Sequence, residues 1–208
     1  MKLIYRPEID GLRGLSILLV ILFHAKVPYF SSGFLGVDIF FVISGYLITS
    51  IILNEIKLKR FSLINFYERR ARRILPALYF LLFLLCIYSF FYQAPYFSKD
   101  LSQSIFSTAV FIQNFLNIIE AADYFSLDYD YKSLGHAWSL SIEEQFYFFF
   151  PLFLILLFKY NFKKYLTNSI LIFLIISIFI YFLFRDYNQN LTFYLTFTRI
   201  WEILFGAL

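Results

Sequence analysis

The segment RGLSILLVILFH, Arg13–His24, sets the class of fold, because it is an apolar helix carrying a cationic or polar group at each end. At about 100° and ~1.5 Å per residue, the eleven steps from Arg13 to His24 make three turns plus roughly 20°. The two side chains therefore share one helix face and stand roughly 16 Å apart along the axis. Ionisable groups in such a segment cost free energy, so their presence points to use. Asp10, Arg13, Ile17, Val20 or Ile21, and His24 fall on one stripe, and Asp10 can pair with Arg13. The plain alternative is an arginine snorkelling to the interface and an interfacial histidine.

Composition extends this reading to the whole chain. Its 208 residues are 61% hydrophobic and 24% aromatic, with a mean hydropathy of +0.71. Soluble domains average about 45–50% apolar residues, so this is the composition of a membrane protein. The single cysteine, Cys86, lies in an apolar run without a partner, which argues against a disulfide framework or a thiolate metal site. With two histidines and no HExxH, a zinc site is weakly supported, and no metal is expected. The net charge of +4 comes largely from one interhelical segment, which indicates membrane topology and anionic partners rather than nucleic-acid binding. The basic N-terminus followed by an apolar core superficially fits a signal peptide. No small-x-small cleavage pattern follows, so the first helix is expected to be retained.

About twenty apolar residues cross the hydrocarbon. On that criterion, spans are expected at about 12–27, 35–53, 74–92, 139–158 and 168–185. Residues 101–119, LSQSIFSTAVFIQNFLNII, carry Ser, Gln and Asn among apolar residues. They are expected to form either a span buried in a bundle or a re-entrant helix. The last apolar stretch starts near Tyr194 and reaches only ~18 Å from Phe197 as a helix, which reads as an incomplete segment of a truncated chain. The expected fold is an all-α, polytopic integral membrane helix bundle of about six membrane segments plus that incomplete one. Residues 1–208 form a single domain without repeats. Lys57, Lys59, Arg60, Arg69, Arg70, Arg72 and Arg73 place the segment between the second and third spans in the cytoplasm.

Three further segments carry candidate chemistry. GVDIFFVISGYLI, Gly36–Ile48, holds Asp38, which can cap its helix or face His24 and fix the imidazole tautomer. Its Gly45 permits close helix approach. FYERRARRILPA, Phe66–Ala77, presents i,i+3 guanidinium pairs at Arg69 and Arg72, and at Arg70 and Arg73. Such forks suit the phosphates of coenzyme A or of anionic lipid, and equally suit ordinary positive-inside charge. HAWSLSIEEQFYFFFP, His136–Pro151, places His136, Ser139 and Glu143 on one helical face, with Tyr147 a turn beyond. Glu143 and Glu144 abut an apolar run, where carboxylates normally pair with Arg or His or act as acid–base groups. Spacing alone supports a His–Ser–Glu hydrolytic triad only weakly. In FTRIWEILFG, Arg199 and Glu202 can pair within the helix or with the bundle.

Together EIDGLRGLSILLVILFH, GVDIFFVISGYLI, FYERRARRILPA, HAWSLSIEEQFYFFFP and RIWEILFG closely resemble, in the same order, the membrane-bound acyltransferase family 3 of bacterial surface-polysaccharide O-acyltransferases. The resemblance implies a multi-helix domain of the bacterial inner membrane. It implies transfer of an acyl group, usually acetyl, from cytoplasmic acyl-CoA to a carbohydrate hydroxyl. Acceptors of such families include lipopolysaccharide O-antigen, peptidoglycan, exopolysaccharide and lipid-linked glycans. By resemblance His24 and Arg13 match the essential pair, Arg69 and Arg72 the cytoplasmic arginine motif, and Glu143 and Glu144 the later acidic pair. The expected catalytic set is His24, Arg13, Glu143, Glu144 and Asp38, and the expected donor-binding set is Arg69, Arg72 and Arg73. His24 is the expected base, oriented by Asp38 or a glutamate of the 143/144 pair. Acyl-CoA, membrane lipid and the glycan are the expected partners. The rival readings are a transporter or flippase, and a non-functional truncated fragment.

Overall fold

A computed structural model describes residues 6–122, 132–160 and 162–208, and within these every regular element is helical. The helices are α1 (Pro7–His24), α2 (Leu35–Lys57), α3 (Leu63–Tyr92), α4 (Pro95–Ala109), α5 (Gln113–Ala121), α6 (Trp138–Lys159), α7 (Leu166–Arg185), α8 (Gln189–Tyr194) and α9 (Thr196–Ala207). Among the described residues, four segments are long and apolar enough to cross a membrane: Leu35–Lys57, Leu63–Tyr92, Gly135–Lys159 and Leu166–Arg185. That is fewer than the six expected. The two absent from the expected six are residues 12–27, whose helix α1 is only 18 residues long and carries Glu8, Asp10 and Arg13, and residues 101–119. The C-terminal stretch is short, as expected of the incomplete segment: α9 has 12 residues, ~18 Å of helix. Residues 101–119 break at Val110–Ile112, where Phe111 takes a positive φ of 59°, so they form no single continuous crossing helix. Residues 123–131 lie outside the described residues.

α2 is the axis of the bundle. It and α6 bury 44% of their most apolar windows, whereas α3 and α7 bury 17% and turn the rest outward, as lipid-facing helices do. Small residues set the distances at which helices pack on α2. A Cβ on Gly36 would stand 2.4 Å from the Ser16 carbonyl oxygen, and one on Gly33 2.3 Å from that of Leu19. α1 and α2 are thus antiparallel with Ser16 opposite Gly36. At the α2–α9 crossing, Cβ atoms on Gly45 and Gly206 would each stand 1.8 Å from a carbonyl oxygen of the other helix, that of Ile203 and that of Val42. Gly45 is therefore a packing residue, as close helix approach in membranes requires.

The polar residues of 101–119 are satisfied internally, which a low-dielectric surrounding demands. Gln113 and Asn114 are fully buried. The Gln113 side chain accepts from Ser107 and Thr108 and donates to Asn117 at 2.8 Å, and Asn117 donates to the Gly135 carbonyl at 2.9 Å. Asn114 donates to the Tyr194 carbonyl and to Thr196, and Gln145 donates to Asn114 and to the Phe111 carbonyl. This network fastens the α4–α5 break to α6 and to the start of α9.

Candidate active site

α1 runs unbroken from Pro7, a residue suited to a first helical turn, to His24. The Arg13–His24 spacing therefore stands as read from the sequence. Arg13 is half-buried, with Asp10 at 4.0 Å and its guanidinium over the Phe40 ring at 5.4 Å. His24 is exposed at the far end, and its Nδ1 donates to the Val20 carbonyl at 2.8 Å. A carbonyl can only accept, so this bond fixes the tautomer and leaves Nε2 as the basic nitrogen. The His136 ring lies against it, with centroids 6.1 Å apart and planes at 65°.

Asp38 is not the residue that orients His24. With Ser16 opposite Gly36 in antiparallel helices, Asp38 sits roughly ten positions, ~15 Å, from the level of His24. Its carboxylate instead receives the Arg199 guanidinium. Arg199 also reaches Glu202 at 3.1 Å and lies over the rings of Trp138 (5.5 Å) and Phe193 (5.4 Å). The Arg199–Glu202 pairing within α9 is thus formed, and the cluster ties α2 to α6 and α9.

The two adjacent glutamates face different surroundings, as successive residues 100° apart on a helix must. Glu143 is buried and accepts from the hydroxyls of Ser44 and Tyr147, so its recorded partners are on α2 and α6 rather than His24. Glu144 borders a cavity of about 700 Å3, and its Oε1 is buried without a hydrogen-bond partner among the described residues. The cavity lies among α5, α6, α7 and α9, walled by side chains such as Phe115, Phe146, Phe150, Phe173 and Ile200, with Arg70 at its polar edge. His136, Ser139 and Glu143 form no triad: the Ser139 hydroxyl donates to the His136 backbone carbonyl at 3.3 Å.

The arginine cluster belongs to the first turns of α3, started by Ser62, whose hydroxyl accepts from the Asn65 N–H at 3.4 Å. Both forks expected to hold a donor carry carboxylates. Arg69 meets both oxygens of Glu55 at 2.8 and 3.0 Å, and Arg72 meets Glu68 at 2.6 Å. Arg73 is exposed. Arg70, absent from the expected donor-binding set, projects the other way, with its guanidinium 4.4 Å above the Tyr147 ring. The 100° step from Arg69 is the signal that separates them. Among the described residues, no group of three or more His, Cys, Asp or Glu side chains is arranged to hold a metal ion.

Comparison with known proteins places these features in a family. The "O-acetyltransferase OatA" of Staphylococcus aureus strain NCTC 8325 / PS 47 is 33% identical over 209 residues, covering 98% of this chain and 34% of its own length. The protein of the same name from strain MRSA252 has the same identity and coverage. The chain thus spans about a third of the length of these curated relatives. No solved structure matches it. An acyltransferase domain model matches residues 6–208, the sweep of sequence that carries Arg13, His24, the α3 arginines, the α6 glutamates and Arg199, and the chain belongs to that acyltransferase domain family.

Proposed function

We propose that this membrane domain transfers an acyl group, acetyl in the simplest case, from acyl-CoA to a hydroxyl of a cell-surface or lipid-linked carbohydrate, and that it does so as a multi-pass protein of the bacterial inner membrane. The observation that carries the reading is the imidazole of His24. Its Nδ1 is committed to Val20 and its Nε2 is left as the proton acceptor, eleven residues along α1 from a half-buried guanidinium.

A sugar hydroxyl is a poor nucleophile and needs a base within hydrogen-bond reach. His24 Nε2 takes the hydroxyl proton as the oxygen attacks the thioester carbonyl. The C–S bond then breaks, and the departing thiolate takes the proton from the imidazolium. Arg13 holds the donor's pyrophosphate. A pantetheine arm is about five residue lengths, ~17 Å, close to the ~16 Å between Arg13 and His24. The exposed Arg73 and the paired Arg69 and Arg72 draw the anionic donor to this end of the bundle. In an alternative order of steps His24 carries the acyl group covalently before the sugar arrives.

Inverted membrane vesicles given labelled acetyl-CoA test this. Labelled ester on a glycan, with release of free CoA, supports the reading, whereas intact CoA thioester and unlabelled glycan refute it. The broken α4–α5 helix favours a transporter, since discontinuous helices line transport paths. That reading predicts movement of an unmodified substrate in the same vesicles.

A further inference from the structure

The cavity of about 700 Å3 has no part in the chemistry proposed for His24. Neither Arg13 nor His24 lines it, and the buried chain Ser44–Glu143–Tyr147 separates it from the Arg13 side of α2. Its size and walls decide what it holds. An apolar cavity of about 150 Å3 takes one benzene, roughly 25 Å3 per carbon, so this one takes on the order of twenty-eight carbons. Along α6 its wall runs from Glu144 to Phe153, nine positions or ~14 Å of helix. An extended chain advances ~1.2 Å per bond, so that length takes about a dozen carbons. Two such chains fit side by side. The cavity also opens sideways. Phe149 on α6, Phe197 on α9 and Ile176 on α7 line it and are 65%, 60% and 47% exposed. In a bundle embedded in a membrane, such surface meets hydrocarbon rather than water.

One edge of the cavity is polar. The Tyr67 hydroxyl donates to the Phe148 carbonyl at 2.7 Å and pins the start of α3 against α6. One turn on, Arg70 lies over the Tyr147 ring at 4.4 Å. Arg69 and Arg72 carry Glu55 and Glu68, whereas Arg70 pairs with no carboxylate among the described residues. Glu144 Oε1 is buried at the same edge without a hydrogen-bond partner among the described residues. The guanidinium suits a phosphate, and the carboxyl oxygen suits an O–H donor. The basic residues around Arg70 mark this end of α3 as the one nearer the cytoplasm, where the leaflet is anionic. An anion, a hydroxyl and a slot two chains wide are the parts of one kind of molecule.

We infer that the cavity is a lipid site: it seats the two acyl chains of an anionic, glycerol-headed phospholipid of the membrane, whose phosphate lies on Arg70 and whose glycerol hydroxyl donates to Glu144. The inference does not rest on acyl transfer. The lipid fills the space among α5, α6, α7 and α9 and joins them into one body. A choline-headed lipid is the weaker occupant, because it sets a cation beside Arg70 and offers Glu144 no O–H.

The experiment places the full-length protein in phosphatidylcholine proteoliposomes with a trace of phosphatidylglycerol or phosphatidylcholine that carries a photoreactive diazirine in mid-chain. Adducts formed on illumination are mapped by mass spectrometry. Phosphatidylglycerol marks cavity residues such as Phe115, Phe150 and Phe173 about fivefold more than phosphatidylcholine does, the usual worth of one arginine toward an anionic lipid. Arg70→Gln brings the two probes level. Ile200→Trp fills the slot and lowers cavity labelling by both probes several-fold, and Ile176→Trp does the same from α7 if the first variant fails to fold. Labelling of Phe83, 60% exposed on α3, reports bulk lipid and stays unchanged in every variant. The inference is overturned if adducts form only on outward residues such as Phe83, since another stretch of protein or a second copy then covers the walls. It is equally overturned if both probes mark the wild-type cavity alike, or if the tryptophan variants leave its labelling unchanged.

Discussion

Replacing Arg199 by methionine tests whether the polar cluster between α2 and α9 is held by charge balance. The Arg199 side chain is 12% exposed, Glu202 2% and Asp38 31%. Two carboxyl groups flank one guanidinium, so at most one of them is balanced. Methionine keeps the apolar contacts of the stem but leaves both carboxyls facing each other in a nearly dry site. Breaking a buried pair in this way costs about 3–5 kcal/mol. Asp38 retains some water, which favours the lower end, and loss of stacking over Trp138 and Phe193 adds about 0.5–1 kcal/mol. The expected loss is about 3–4 kcal/mol, a few hundredfold in the folding equilibrium. Glu202→Gln leaves the Arg199–Asp38 pair intact, gives up the 3.1 Å ion contact to Arg199 and removes the second of the two carboxylates that share that guanidinium, so it costs under about 1 kcal/mol. Equilibrium unfolding in mixed detergent micelles measures both. The reasoning is refuted if Arg199→Met lies within 0.5 kcal/mol of wild type (a scatter typical of neutral surface changes), or if Glu202→Gln costs as much as Arg199→Met.

Three further outcomes follow from the packing and the buried polar network. Gly45→Ala places a methyl where the Ile203 carbonyl stands, so it separates α2 from α9 and destabilises the protein by about 1–3 kcal/mol. Gly14→Ala on α1, where a Cβ meets nothing within 4 Å, stabilises by about 0.5–1 kcal/mol in the same assay. Gln113→Leu strands the Thr108 hydroxyl and the Asn117 side-chain carbonyl, while Ser107 keeps its bond to the Ser104 carbonyl, at about 1–3 kcal/mol. Hydrogen exchange then rises first at Val110–Ile112, the break this residue braces.

Legibility followed the reach of each interaction. α2, α6 and α7 begin and end within a few residues of the expected spans, because twenty apolar residues in a row have few other solutions. α3 starts eleven residues earlier than the apolar count suggests, because Ser62 caps the chain and arginines are good helix formers. Arg13 and His24 were readable since their relation is set within one helix. The partner of Asp38 was not, because the α1–α2 register depends on Gly33 and Gly36 meeting carbonyls of α1. Equally hidden was the division of labour among the arginines. The 100° step shows that Arg69 and Arg70 diverge, but only the tertiary fold shows that one meets Glu55 and the other Tyr147.

The central claim is that His24 serves as the base through Nε2, and the rate of acetyl transfer by His24→Ala tests it most directly. With membrane abundance matched and analogue binding retained, the account predicts a loss of 10²–10⁴-fold, the usual worth of a positioned general base. A variant that transfers acetyl within about threefold of wild type contradicts it.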